Sequence, residues 1–139
     1  MPLLPVGIDS FEEARRRECL LIDKSLIIKE VLDGPTSICI TRPRRFAKTS
    51  NMRLLESFFT QENAVERRAL FAGMKIEQAS TARGEPCMAH QGQYPTIFLT
   101  FKNIRPVSYA EACEQLAMEM SKLYKKHPYL LDSDKLVED

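Results

Sequence analysis

The densest chemical signal in the chain is TRPRRFAKTSN at 41–51, where three arginines in four positions run into Ala-Lys-Thr. A lysine followed by a hydroxyl residue at the start of a helix is what a phosphate-binding loop requires. In the pattern G-x-x-x-x-G-K-[ST], backbone N–H groups curl round a β-phosphate and the lysine reaches the β- and γ-phosphates. The Ser/Thr hydroxyl then ligates magnesium. Glycines serve there because the backbone takes φ > 0 and a Cβ would stand where phosphate oxygens come close. Here Lys48 and Thr49 match, Ala47 stands at the second glycine position and Arg42 at the first. On that pattern alone, a basic strand-to-helix turn capped by Thr49 is the plainer account.

The elements that would position such a loop flank it. SICIT at 37–41 is short, rich in β-branched residues and bounded by a turn, which predicts a buried strand. Met52, Leu55 and Phe59 recur at helical spacing and predict a helix over 49–59. Upstream, Ser10 followed by Glu13 is a capping-box pattern opening a short charged helix, FEEARRREC. Ser25 reads as the N-cap of LIIKEVLD, with Gly34 at the C′ position and Pro35 preventing continuation. Downstream, AVERRALFAGM predicts a shorter helix, 78–93 a loop, and TIFLTF at 96–101 a second strand. SYAEACEQLAMEMSKLYKK is the strongest helix, with Tyr109, Ala112, Leu116, Met120 and Leu123 on one face as core packing. A further helix is expected from Ser133. Strands alternating with helices imply an α/β layer with a parallel sheet. Two strands make only part of such a sheet, so the front part of a larger fold is expected.

Bulk properties narrow the function classes. The 139 residues predict one domain over 1–139, with 44% hydrophobic and 28% charged residues and a net charge of +1. That balance excludes a polycation and leaves any nucleic-acid case resting on Arg42, Arg44 and Arg45. No aromatic platform interleaves with them, which argues against direct nucleic-acid binding. Apolar runs fall far short of the roughly 20 residues of a membrane span. The N-terminus has no basic region or cleavage site of a signal peptide, so a cytoplasmic protein is expected. Cys19, Cys39, Cys87 and Cys113 form no C-x-x-C pair, and only His90 and His127 could assist, so reduced thiols fit better than a zinc site.

Taken together, these segments resemble the bacterial AAA-ATPase-like domain, a P-loop family often found ahead of a PD-(D/E)XK nuclease-like domain. That family's loop typically reads TRPRRFGKT-x-N, so the missing first glycine is usual and Ala47 is the departure. Ile22-Asp23-Lys24-Ser25 looks like its V-D-K-T segment, ALFAGMKIE like LF-x-G-L-x-I, and YPTIFLTFKNI like YPVI-x-LSFKDI, with Asn103 where an acid is common. KKHPYLLDSDKL continues the likeness almost to the end.

The resemblance implies an incomplete three-layer P-loop NTPase-like fold, a partial parallel sheet flanked by helices, with the loop at 42–49. It implies ATP and Mg2+ as ligands, held by Arg44, Arg45, Phe46, Ala47, Lys48, Thr49 and Ser50, with Thr49 on the metal. It also implies a nuclease-like domain or another protein as partner. The family's Walker B acids are expected beyond these 139 residues, so binding without hydrolysis is the expectation. A non-catalytic interaction module with a degenerate nucleotide site is the alternative.

Overall fold

The computed structural model describes residues 3–5, 7–8, 10–41, 43, 46–102 and 104–130. Arg42, Arg44, Arg45 and Asn103, and the helix expected from Ser133, lie outside the described residues. The chain divides into two compact units, Met1–Thr96 and Ile97–Asp139.

The described residues of the first unit form four α-helices and two 3-10 helices. They are α1 (Phe11–Arg16), α2 (Ile27–Asp33), α3 (Lys48–Phe59) and α4 (Ala64–Ala69), followed by 3-10 turns at Lys75–Gln78 and Cys87–His90. α1 starts where its cap predicts, the Ser10 hydroxyl accepting from the Glu13 N–H at 3.3 Å. Phe58 and Phe71 meet edge to face at the centre of the core, with ring centroids 5.1 Å apart. Phe11 stacks on Phe71 at 5.3 Å, and Ile28, Leu54, Met74, Ile76, Cys87 and Met88 complete the cluster.

Polar ties close the edges of that core. Arg15 donates to the carbonyls of Leu70 and Ala72 at 2.7 and 2.9 Å, satisfying acceptors left at the end of α4. Glu12 joins three helices, pairing with Arg67 at 3.2 Å and accepting from Ser57 at 3.2 Å. The stretch expected as loop contributes core residues of its own, since Cys87 and Met88 are buried in its 3-10 turn. Lys29 and Asp33 of α2 hold it, Lys29 on the Ser80 carbonyl and Asp33 on the Ala82 N–H at 2.7 Å.

The parallel sheet is not there. Among the described residues there is no strand; backbone pairing is confined to isolated bridges at Leu3 and Cys19, Thr60 and Tyr94, and Ser80 and Pro86. Residues 37–41 and 96–101 form neither strand nor helix. A β-branched run marks a segment suited to a pleated, half-buried surface, but a strand also needs a neighbour to take its N–H and C=O groups. Among the described residues neither segment pairs in a ladder, and Ile38, Ile40, Ile97, Leu99 and Phe101 are exposed. The α/β, three-layer reading is therefore replaced by a helical one.

Two helix ends also differ from expectation. Leu26, not Ser25, caps α2. Gly34 ends that helix with φ −87°, outside the left-handed region, and its reason lies in space: a Cβ there would fall 2.5 Å from the Glu30 carbonyl oxygen.

The second unit rests on α5, Tyr109–Lys126. The Ser108 hydroxyl accepts from the Glu111 N–H at 3.2 Å, while the Glu111 carboxylate accepts from the Val107 N–H at 2.9 Å. This closes the N-terminus from both sides. No residue of α5 is buried, so the stripe from Tyr109 to Leu123 does not serve as core. Among the described residues no helix is long and apolar enough to cross a membrane. The four cysteines are free thiols, Cys19 and Cys87 buried, Cys39 and Cys113 exposed.

Candidate functional site

The loop that carries the chemistry turns into α3 through one residue. Ala47 has φ 55° and ψ 28°, the left-handed conformation, and Lys48 is the first residue of the helix. That is the backbone state for which phosphate loops use glycine. A side chain in it costs roughly 1–2 kcal/mol. Ala47→Gly is therefore expected to stabilise the chain by about 1 kcal/mol, after glycine's greater freedom in the unfolded chain is subtracted. Urea unfolding followed by circular dichroism measures it, and an unchanged midpoint would contradict the strain.

The start of α3 has the electrostatics of an anion site. Its N-cap, Ala47, has no oxygen to offer, no side chain caps the end, and no acid stands in the first turn. A lysine occupies the position where the helix dipole is positive, an arrangement disfavoured by about 0.3–1 kcal/mol unless an anion sits nearby. Lys48 Nζ donates to the Pro43 carbonyl at 3.0 Å, so a phosphate would compete with that carbonyl for the ammonium. Thr49 lies in the first turn and is exposed, as is Ser50. The capping role read for Thr49 falls instead to Ala47.

An open cleft of about 800 Å³ lies beside this helix start. Its walls include Lys24, Glu30, Phe46, Lys48 and Asn51, with Ile38 and Ile40 supplying apolar surface. Of the expected site residues, Phe46 and Lys48 face it, whereas Ala47, Thr49 and Ser50 are not part of its lining. Arg44 and Arg45 lie outside the described residues. Glu30 and Asn51 are additions, while Lys24 sits in the Ile22–Ser25 segment, whose likeness to the family puts Asp23 and Lys24 near the nucleotide without assigning either a role; none of the three signals a site by residue type alone. The donor set suits a nucleotide with magnesium: ammonium groups for phosphates, apolar wall for a base, and oxygens of Glu30, Thr41 and Asn51 for a hard cation.

A rigid turn holds one rim of the cleft. Asp23 Oδ1 accepts from the Ser25 N–H at 2.8 Å and Oδ2 from the Lys75 N–H at 2.8 Å. The Ser25 hydroxyl, fully buried, accepts from the Ile76 N–H at 3.1 Å. Ser25 thus ties the entry of α2 to the first 3-10 turn. Burial pushes the Asp23 carboxyl up, but hydrogen bonds from Ser25 and Lys75 together with the Lys75 charge outweigh it and leave its pKa lowered.

A left-handed residue ahead of a helix that opens with lysine is the backbone arrangement that phosphate-binding loops use, and here it stands beside a cleft of about 800 Å³. A family model described as predicted AAA-ATPase matches residues 5–135, and the chain belongs to that AAA-ATPase-like family. No curated protein and no solved structure matches it.

Proposed function

We propose that this chain is an ATP-binding module of an AAA-ATPase-like protein of the cytoplasm, taking ATP with Mg2+ in the cleft beside α3. The observation that carries the reading is Ala47 in the left-handed conformation directly before Lys48. Family membership supports it. Lys48 neutralises the β- and γ-phosphates, the N-terminal end of α3 adds its dipole, and Phe46 with Ile38 and Ile40 offers a surface for the base. The loop pattern assigns magnesium to Thr49 and phosphate contacts to Arg44, Arg45 and Ser50; Thr49 and Ser50 border the helix start without lining the cleft, where Glu30, Thr41 and Asn51 offer the oxygens. Hydrolysis needs an acid that holds the ion and orders water. TIFLTF runs into Lys102-Asn103 rather than into such an acid, so these 139 residues alone bind without turnover. A nuclease-like domain as partner belongs to the same reading and rests on the resemblance.

Calorimetric titration of ATP–Mg2+ into the natural chain, Ala47→Gly and Lys48→Ala tests this. Lys48→Ala is expected to lose roughly 10- to 100-fold in affinity, the value of a charge-assisted contact to phosphate. Ala47→Gly is expected to gain about tenfold once the methyl is gone. Binding seen only in Ala47→Gly identifies a decayed site. No binding in any of the three leaves a non-catalytic interaction module as the function.

A further inference from the structure

Lys24 lies 24 positions before Lys48, in the irregular stretch ahead of α2, yet both line the same cleft. Its neighbours on either side are pinned toward the core. Asp23 is bonded to the Lys75 N–H, and Ser25 is fully buried on the Ile76 N–H. The backbone of Lys24 is thereby fixed while its side chain stays exposed at the cleft. Lys24 has no side-chain hydrogen bond or ion pair among the described residues. Lys29, the next lysine along, is by contrast committed to Asp33 and the Ser80 carbonyl. Among the described residues the cleft therefore holds two ammonium groups, from separate segments of the chain, against one carboxylate, Glu30.

We infer that Lys24 is a second phosphate-binding residue, reading the charge of the phosphate chain from the rim that Asp23 and Ser25 hold. A nucleotide's base and sugar are neutral, so of its parts only the phosphates offer this ammonium a counter-charge. Lys48 and the helix start serve the phosphates nearest α3. Lys24 responds to the charge added with each further phosphate, and so separates tri- from diphosphate. Glu30 opposes this charge on the same cleft, which makes the balance depend on magnesium.

The inference rests on the nucleotide reading, and the experiment separates the two. ATP, ADP and AMP, each with Mg2+, are titrated calorimetrically into the natural chain, Lys24→Ala, Lys24→Arg and Lys48→Ala, with a parallel set in Ala47→Gly. Lys24→Ala is expected to weaken ATP by about tenfold, ADP by roughly threefold and AMP not at all, with Lys24→Arg close to the natural chain. Thermal melts should coincide, because Lys24 is exposed and unpaired. If Lys48→Ala loses affinity while Lys24→Ala binds all three as the natural chain does, the inference falls and the nucleotide reading stands. Equal weakening of all three ligands also overturns it, since charge is then not what Lys24 reads. No binding in the natural chain or in Ala47→Gly removes both.

Discussion

Phe58→Ala is expected to destabilise the first unit by about 3–5 kcal/mol, the usual cost of truncating a buried phenylalanine. Phe58 is fully buried. Its ring meets Phe71 edge to face at 5.1 Å and Phe59 at 5.2 Å, so truncation leaves a void among stiff aromatic neighbours that collapse poorly. Its carbonyl also accepts from the Gly92 N–H at 2.8 Å, and a shift of the helix end there would loosen that loop. Domains are stable by only about 5–15 kcal/mol, so the variant sits near its folding threshold. Phe58 shares α3 with Lys48, and unseating the helix moves the lysine away from the cleft. Nucleotide affinity should therefore fall together with stability. Urea unfolding by circular dichroism gives the first number and titration the second. Met52→Ala, an exposed site on the same helix, is the control and should stay within about 0.5 kcal/mol. A Phe58→Ala midpoint matching that control would mean that the aromatic cluster is not the core.

α3 shows how far the sequence could be read. Its period was visible, but the stripe of Met52, Leu55 and Phe59 is turned by about one residue from the face that is buried, Leu54, Ser57 and Phe58. Neighbouring apolar residues on a helix give the existence of a stripe more firmly than its centre, and the partner, here Phe71, decides the rest. Ser25 failed for a related reason. A serine ahead of an apolar run is an N-cap by local rules, yet its hydroxyl is used by Ile76, 51 positions later. The two β-branched segments announced strands whose partners no local pattern can supply. At the loop, the left-handed turn at Ala47 was legible because loop chemistry is local, down to the positive φ that glycine would normally take. Glu30 was not, because only the packing of α2 beside 38–41 brings it to the cleft.

Asp23→Ala carries the second large effect, an expected loss of about 3 kcal/mol from two charge-assisted bonds to backbone N–H groups. The carboxylate spans the entry of α2 and the first 3-10 turn, and with it gone the Ser25 and Lys75 N–H groups lose their acceptor. Its pH dependence identifies the cause. The folded pKa lies below the ordinary 3.8, so the unfolded chain takes up the proton first as pH falls. The contribution is thus complete above that value and is lost as pH drops through the lowered folded pKa. Asp33 is shifted the same way, by the Ala82 N–H first and then Lys29, so acid unfolding of the natural chain mixes the two. Comparing the natural chain with Asp23→Asn separates them, since Asp33 is common to both. Their difference in urea midpoint should be full at pH 6 and shrink steadily on acidification below about pH 4. A difference independent of pH would show that Asp23 acts by shape alone. The same variant bears on the cleft, because Asp23 pins one neighbour of Lys24. If the rim positions that ammonium, Asp23→Asn loses part of the preference for ATP over AMP at a pH where the chain is still fully folded.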